Sequence, residues 1–131
     1  MADPSCPFCS PLRPVAHNAL AYALDDRFPV NPGHTLIVPF RHVASFFETT
    51  VDERMAMLRL VDEVKRLLDQ RHQPDGYNIG VNVGVTAGQT VMHVHIHLIP
   101  RYAGDVTEPR GGVRAVIPER QSYPPTSAPT A

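Results

Sequence analysis

The sequence predicts an α+β fold, in which an antiparallel sheet of about five strands carries one long helix on its apolar face. Several short segments alternate apolar with polar residues, which is the period of a half-buried strand. One longer segment after Thr50 repeats apolar residues at helical spacing. The predicted order is two strands, the helix and two more strands, and this segregation favours α+β over a parallel βαβ sheet.

Two strands are predicted before the helix. Residues 18–26 (NALAYALDD) alternate leucine and tyrosine with smaller or polar residues. Residues 34–39 (HTLIVP) form a short β-branched run that ends at a proline. Residues 29–33 (PVNPG) have the composition of a turn between them. We expect a short helical turn within residues 40–50.

The long helix has a start signal, an apolar stripe and a stop signal. Thr50, followed three residues later by Glu53, is a capping-box pattern. Residues 73–76 (QPDG) end the helix. We expect a scaffold helix packed on the sheet, with a stripe formed by Met57, Leu60, Val61, Val64, Leu67 and Leu68.

Two further strands are predicted after the helix. Residues 77–84 (YNIGVNVG) and residues 91–99 (VMHVHIHLI) both alternate, and the loop of six residues between them favours an antiparallel pair. In the second of these strands His93, His95 and His97 share one face, and aliphatic residues occupy the other. One face therefore packs on the core, and the other presents three imidazole rings.

The composition indicates one soluble domain. The chain has 131 residues with 43% hydrophobic and 19% charged content, and its formal net charge of −1 gives no bulk attraction to nucleic acid or anionic lipid. It contains neither a membrane-length apolar run nor a signal-peptide pattern, so we expect a cytoplasmic protein without nucleic-acid or membrane partners. We expect residues 1–120 to form the domain and the proline-rich residues 121–131 to be disordered.

Three interpretations of the histidine segment compete. Its rings could be simply exposed to water, although the adjacent GQT segment offers groups suited to phosphate oxygens. They could bind a metal, but His93 and His97 would lie about 13 Å apart at Cα, so one ion would reach all three only with strain. They could act in nucleophilic catalysis, because a neutral imidazole is a competent nucleophile near neutral pH.

The segment HVHIHLI matches the histidine triad motif, H-φ-H-φ-H-φ-φ, where φ is apolar. The match extends to NPGHTLIVPFRH, to YNIGVNVGVTAGQTV and to the order of the elements, over roughly residues 5–102. The sequence thus resembles the histidine triad (HIT) family, and in particular the bacterial-type branch that carries an N-terminal C-x-x-C. That branch is often likened to the diadenosine polyphosphate hydrolases.

The resemblance implies a catalytic role for four histidines. His95, the middle histidine of the motif, would attack the α-phosphate and form a covalent nucleotidyl intermediate that water hydrolyses. His97 would bind phosphate oxygens and the leaving group's side of the site. His34 would support the triad by polarising or hydrogen-bonding the nucleophile. His93 is the first histidine of the triad.

The resemblance also implies the substrate contacts. Asp26 would accept hydrogen bonds from the ribose hydroxyls, and Asn82 would contact the α-phosphate or the leaving group. Asparagine at this position is typical of the purine-nucleoside phosphoramidase branch, although the chain lacks the C-terminal tryptophan of some members of that branch. Gln89 and Thr90 would contact phosphate. The nucleobase would lie between Phe8, Phe28 and Leu36.

A metal site is a separate question. Cys6 and Cys9 form the C-x-x-C, and in a cytosolic chain this spacing favours metal or redox use over a structural disulfide. The resemblance adds His42 and His93, which would complete a closed, structural Zn²⁺ site. The alternatives are two free thiols or a lost site. A thioredoxin-like role is weakly supported, since no parallel βαβ pattern follows the motif.

The family resemblance implies a homodimer whose paired sheets join and whose long helices pack together. The implied reaction is hydrolysis or nucleotidyl transfer at the α-phosphate of a purine-nucleotide conjugate such as a dinucleoside polyphosphate, with Mg²⁺ as a possible companion of a polyphosphate substrate. The alternatives are an adenosine 5′-phosphoramidase, a nucleotide-binding protein with weak catalysis, and a zinc hydrolase that uses the triad as ligands. Three arginines could reach phosphates or a partner subunit, but exposed surface positions are the more common outcome for Arg101, Arg110 and Arg114.

Overall fold

The fold is an antiparallel five-stranded sheet with one long helix on one face, seen in a computed structural model that describes residues 2–10 and 13–124. The strand order is β1-β2-β3-β5-β4, and every neighbouring pair is antiparallel. The predicted α+β class is confirmed. The elements are β1 (Ala16–His17), β2 (Ala21–Asp25), β3 (Thr35–Pro39), α1 (Val51–His72), β4 (Gly76–Val81) and β5 (Ile96–Arg101).

The helix α1 begins and ends where the sequence indicates. The Thr50 hydroxyl accepts from the backbone N–H of Glu53 at 3.0 Å, and the Glu53 carboxylate accepts from the backbone N–H of Thr50 at 2.8 Å. Arg41 clamps the same carboxylate with bonds of 2.8 and 2.9 Å. At the other end Gln73 takes a left-handed conformation, φ +46°, which ends the helix.

Both faces of the sheet are covered, but by different parts of the chain. The helix side buries Ile96 and Leu98 of β5 together with the predicted stripe of α1, except that Leu67 is only half-buried and lies outside this cluster. The opposite side, which carries His97, buries a smaller cluster of Phe8, Tyr22, Leu36 and Val38. The N-terminal loop therefore covers part of the face on which the sequence predicts free imidazole rings.

The last strand is shorter than predicted. β5 begins at Ile96, so His93 and His95 lie in the extended segment that leads into it. Two features of Pro39, at the end of β3, explain the difference. Proline has no N–H to continue the ladder, and its carbonyl oxygen accepts a 2.8 Å bond from Nε2 of the His93 ring.

Other boundaries move by a few residues. β4 ends at Val81, so Asn82 follows the strand, and β2 begins at Ala21, because the Asn18 side chain holds a turn by accepting from two backbone N–H groups. The two-residue β1 is not predicted from sequence. Short 3-10 turns occur at Phe46–Glu48, Val85–Ala87, Gly112–Val116 and Pro118–Arg120.

Residues 103–121 fold back onto the sheet, at the end of β4 and β5. Most of the predicted disordered tail, residues 125–131, lies outside the described residues. Within the described part of the chain, α1 and the shorter helical turns all lack the combination of length and apolar character that crossing a membrane requires.

Candidate functional site

A cavity of about 1080 Å³ opens on the sheet face opposite α1. It lies over the segment that leads into β5, between the N-terminal loop and the turn that joins β2 to β3. Nine residues that the sequence predicts for catalysis or substrate binding line it: Phe8, Asp26, Phe28, His34, Leu36, Asn82, Thr90, His95 and His97.

His95 presents an unprotonated nitrogen to this cavity. Its Nδ1 lies 2.9 Å from the carbonyl oxygen of His93, and a carbonyl can only accept, so Nδ1 carries the proton. In the neutral ring Nε2 then keeps its lone pair. The Phe8 ring holds the imidazole from one side, with ring centroids 5.0 Å apart in an edge-on arrangement.

A chain of hydrogen bonds fixes the protons of the two rings beside it. The backbone N–H of Val30 donates to Nδ1 of His34 at 3.1 Å, so His34 carries its proton on Nε2. That Nε2 lies 2.9 Å from Nδ1 of His97 and 3.3 Å from the Asp26 carboxylate. Nδ1 of His97 therefore accepts, and its remaining proton lies on Nε2. Because Nε2 of His34 carries a proton, it has no lone pair with which to bind a metal ion.

Burial and neighbouring charge keep these rings neutral. Desolvation lowers the pKa of His97 to about 4, and the nearby rings of His95 and His34 contribute in the same direction. Burial also lowers the pKa of His34, although the Asp26 carboxylate opposes this shift. Protonated His97 would direct an N–H at the N–H of His34, so hydrogen bonding and desolvation favour the same neutral state.

Two predicted site residues lie away from the cavity. The His93 side chain is completely buried and lies behind Phe8, against Pro39 and the two cysteines, so direct contact between its ring and a substrate in this cavity is not possible here. The Gln89 side chain is also buried, and its amide makes three bonds to the backbone, at Gly84, Ala44 and Val91. Its carboxamide thus shapes the loop, while Thr90 lies on the cavity wall.

Sequence patterns do not identify several other cavity residues. Val30 contributes a backbone N–H that orients His34, and since almost every residue has that group, its type carries no signal. Arg27 brings a cation to the cavity and lies 5.7 Å from the centroid of the Phe28 ring. Its position between Asp26 and Phe28 in an exposed turn is the one hint that the sequence offers.

The four predicted metal ligands meet beside the cavity. One ligand atom from each of Cys6, Cys9, His42 and His93 lies within 4.8 Å of all the others. The sulfur-to-nitrogen distances are 3.1 Å for Cys9 with His42, 3.4 Å for Cys6 with His93 and 3.6 Å for Cys9 with His93. Tetrahedral zinc with ordinary bond lengths separates sulfur from nitrogen by about 3.5 Å.

The proton positions also suit a metal. Nε2 of His93 donates to Pro39, so Nδ1, which faces the thiols, has a free lone pair. Two thiolates and two imidazoles fill four positions, which is a closed set typical of structural zinc. The residues present therefore fit Zn²⁺.

Comparisons with known proteins agree with this geometry. A sequence model of the HIT domain matches residues 10–104. An uncharacterized 16.1 kDa HIT-like protein from Mycoplasma pneumoniae is 39% identical over 108 residues, covering 78% of this chain and 75% of the relative. AP-4-A phosphorylase from Mycobacterium tuberculosis is 35% identical over 92 residues, covering 70% of this chain and 47% of the relative, so this chain spans about half of that protein's length.

One solved structure bears on the metal site. A Zn-bound histidine triad family protein from Mycobacterium smegmatis superimposes with a TM-score of 0.71 at 30% identity, covering 79% of this chain and 80% of that one. Since the domain match spans well over half of the sequence and the triad, sheet and helix are all in place, this chain belongs to the histidine triad (HIT) family.

Proposed function

We propose that this protein is a nucleotide hydrolase or nucleotidyl transferase that acts at the α-phosphate of purine-nucleotide conjugates, above all dinucleoside polyphosphates. The single observation that supports this best is the pairing of an unprotonated Nε2 on His95 with an N–H on Nε2 of His97, on one wall of a nucleotide-sized cavity. Nε2 of His95 is the nucleophile, and the N–H on Nε2 of His97 is a hydrogen-bond donor for the leaving oxygen.

The reaction proceeds in two displacements. Nε2 of His95 attacks the α-phosphorus, the bond to the leaving oxygen breaks, and its electron pair departs with that oxygen. The ring of His95 becomes cationic, and its Nδ1–H bond to the His93 carbonyl stabilises that charge. Water then attacks the same phosphorus, the bond from phosphorus to Nε2 breaks and its electron pair returns to the ring, and the proton of the water passes to solvent. The products are the mononucleotide and the neutral imidazole of His95.

The state of His97 favours an anhydride over an amide as the bond that breaks. Its Nδ1 is occupied by the His34 contact, so it offers a hydrogen bond from Nε2 but is poorly placed to become a full proton donor. A polyphosphate departs as an anion and needs only that hydrogen bond, whereas an amine must be protonated to leave. A phosphoramidase activity remains the second candidate because Asn82 lines the cavity.

Substrate binding is assigned from the same wall. The Asp26 carboxylate would accept hydrogen bonds from the ribose hydroxyls, and Phe8, Phe28 and Leu36 would provide apolar surface for the base, since all four residues line the cavity. Arg27, beside them, supplies positive charge for phosphate oxygens. Asn82 would contact the α-phosphate or the leaving group, and Thr90 would contact phosphate oxygens.

Cys6, Cys9, His42 and His93 would hold Zn²⁺. The ion would tie the N-terminal loop to the segment that leads into β5, with no part in the chemical steps. This separates the proposal from a zinc hydrolase that uses the triad as ligands. If our proposal is right, mild chelation that preserves the fold does not change turnover. If the protein is a zinc hydrolase, the same treatment abolishes turnover.

The decisive experiment is a rapid-quench trap with radiolabelled diadenosine tetraphosphate. The wild type should accumulate an adenylyl-protein adduct, while His95→Ala should form none and His17→Ala, at a distant strand, should behave as the wild type. A nucleotide-binding protein without catalysis would give no adduct in any of the three. Adding inorganic phosphate shows which molecule accepts the adenylyl group from His95. Transfer to water yields AMP, and transfer to phosphate yields ADP. The name of the mycobacterial relative, a phosphorylase, suggests the second outcome.

We also propose a homodimer. Val51, Met55 and Leu58 form an exposed apolar stripe on α1, with exposed fractions of 72, 48 and 53%. Within the described residues β4 is an edge strand, and its Ile79 is 51% exposed. Light scattering should give twice the chain mass, and Leu58→Glu should give the mass of one chain.

Cytoplasmic location, Mg²⁺ with the substrate and a domain boundary at residue 120 stay predictions.

A further inference from the structure

The turn that joins β2 to β3, residues 26–34, carries the group that orients His34. Its Val30 presents a backbone N–H to Nδ1 of His34 at 3.1 Å, and this bond places the proton of His34 on Nε2. Val30 is 66% exposed and Phe28 is 80% exposed, so side-chain packing does little to hold this part of the turn. Hydrogen bonds from elsewhere in the turn therefore have to keep the N–H directed at the ring.

Asn31 attaches this turn to the end of β5 and to the segment that follows it. Its side-chain nitrogen donates to the carbonyl oxygen of Pro100 at 3.0 Å and to the Asp105 carboxylate at 2.8 Å. Both partners can only accept, so the amide has a single orientation that satisfies them and uses both of its protons. The backbone oxygen of Asn31 accepts from the N–H of His34 at 3.1 Å, so the same residue also bonds to the backbone of the catalytic histidine.

The Asp105 carboxylate that receives this amide is charged and surrounded by donors. Arg101 donates to it through two nitrogens at 2.7 and 2.8 Å, and the backbone N–H of Tyr102 adds a bond of 3.1 Å. The Arg101 side chain is only 24% exposed, and another of its nitrogens reaches the Asn78 oxygen on β4 at 2.6 Å. The hydrogen bonds from Arg101 hold the pKa of the Asp105 carboxyl well below its usual range, so it stays ionised near neutral pH.

Two further contacts hold the next two residues of the turn. The Tyr102 hydroxyl donates to the carbonyl oxygen of Pro32 at 2.7 Å. Gly33 has φ +90°, and a Cβ at that position would lie 3.1 Å from the Pro100 ring, so the turn lies close against β5 there. The turn is thus attached at three successive residues, 31–33.

We propose that Asn31 is a positioning residue for the proposed reaction, acting through His34 on the hydrogen-bond donor of His97. This rests on the function proposed above. When the Asn31 amide is lost, the N–H of Val30 is no longer held at Nδ1 of His34, and that ring can carry its proton on Nδ1 instead. His97 then receives no N–H from His34, and its own proton moves from Nε2 to Nδ1. The donor for the leaving oxygen is lost, although neither histidine has been changed.

The first test separates catalysis from binding. Asn31→Ala should lower kcat for diadenosine tetraphosphate about 10-fold and change KM by less than about twofold, because the lost donor acts on the leaving oxygen. Asp75→Ala is the matched control, since Asp75 accepts from the N–H of Ala103 at 2.8 Å and holds the same segment by a bond that does not involve the turn. The control should keep the wild-type kcat. Equal losses in both variants, or an unchanged kcat in Asn31→Ala, would overturn the proposal.

A double-mutant cycle tests whether Asn31 acts through His34. In His34→Ala the ring that Asn31 positions is absent, so adding Asn31→Ala should change kcat by less than about twofold. Independent effects would multiply, and a further loss of about 10-fold in the double variant would contradict the path through His34. Tyr102→Phe keeps the cycle available if Asn31→Ala does not fold, because it removes only the hydroxyl bonded to Pro32. Its loss in kcat should be smaller and should also vanish in His34→Ala; a loss that persists there would count against the proposal.

Nitrogen NMR of the histidine rings needs no substrate. The wild type should show the proton of His97 on Nε2, Asn31→Ala a mixture of Nε2 and Nδ1, and Asp75→Ala the wild-type pattern. A mixture is expected because the Asp26 carboxylate, 3.3 Å from Nε2 of His34, still favours a proton on that nitrogen. A wild-type pattern in Asn31→Ala would refute the positioning role.

The proposed function and the positioning role fail in different ways. If the wild type forms no adduct with diadenosine tetraphosphate, the proposed function is wrong, and the NMR comparison still decides whether Asn31 orients the two rings. If the adduct forms, and Asn31→Ala neither slows its formation nor changes the tautomer of His97, the function stands and the positioning role is wrong.

Discussion

Nε2 of His34 lies 2.9 Å from Nδ1 of His97, and this contact determines which nitrogen of each ring carries a proton. The backbone N–H of Val30 at the far side of His34 leaves only one arrangement for the neutral pair. The cavity-facing nitrogen of His97 is consequently a donor, although His34 itself lies one ring further from the nucleophile.

His34→Ala should lower kcat more than it changes KM. Without the Nε2–H of His34, the proton of His97 can move to Nδ1, and the donor for the leaving oxygen is lost. We expect a decrease of about 10- to 100-fold, the range for losing a hydrogen bond to developing charge. Nitrogen NMR of His97 checks the cause directly, since the wild-type ring should show the proton on Nε2 and the variant a mixture. An unchanged tautomer in the variant would contradict the positioning role, and His17→Ala serves as the control.

The lowered pKa of His97 predicts a loss of stability in mild acid. Unfolded histidine takes up a proton near pH 6.5, whereas the folded ring does so near pH 4, so the unfolded state binds more protons between these values. The free energy of unfolding should therefore fall as the pH decreases from about 6.5 to about 4, by at most about 3 kcal/mol from this group. His95 and His34 strengthen the effect, and Asp26 opposes it.

Urea unfolding at pH 7 and pH 5 measures this difference. The other titrating groups are common to wild type and His97→Gln, so subtracting the two profiles isolates the ring. We expect a smaller decrease in the variant, and His17→Gln should retain the wild-type decrease. Parallel profiles for wild type and His97→Gln would show that the ring does not contribute.

Metal removal should separate stability from chemistry. We expect about one zinc ion per chain, measured by elemental analysis, and a lower melting temperature after chelation because the ion binds only the folded loop. Cys9→Ser should lose the ion and the stabilisation, whereas Ser5→Ala in the same loop should keep both. Full-length chains that purify without zinc under reducing conditions, and whose melting temperature is unaffected by added zinc, would refute the site.

Phe28→Ala should weaken substrate binding with little change in kcat. The ring is 80% exposed on the cavity wall, where it can stack on a base without stabilising the fold. Stacking of a base on an aromatic ring contributes about 1–3 kcal/mol, so we expect KM to rise about 10-fold or more. Phe47→Ala, 73% exposed and outside the cavity lining, should leave KM unchanged. A similar rise in both variants would point to a general loss of structure.

The periodic parts of the chain are those that sequence predicts well. Alternation locates the strands, and the capping box at Thr50 locates the start of α1 to the residue. His95 and His97 are predicted on the open face, and they line the cavity. Patterns of this kind indicate which side of a strand or helix is buried, because the buried side is determined mainly by the local spacing of apolar residues.

The remaining features depend on contacts that spacing does not encode. The Gln89 amide turns inward to three backbone groups, and the GQT sequence is equally compatible with an outward amide. His93 leaves the ladder because of Pro39, which is 54 residues away along the chain. Residues 103–121 fold through glycine conformations and side-chain bonds to the backbone, and neither has a periodic signature.

Phe8 occupies a place that links two otherwise separate parts of the molecule. It lies between Cys6 and Cys9, its N–H donates to the Cys6 sulfur at 3.4 Å, and its carbonyl accepts from the buried Tyr22 hydroxyl. The ring that borders His95 has therefore already lost its conformational freedom when the chain folds. A nucleotide that binds against this ring does not have to order the loop. The entropic cost of ordering the loop is included in the free energy of folding, so it does not weaken the affinity for the nucleotide.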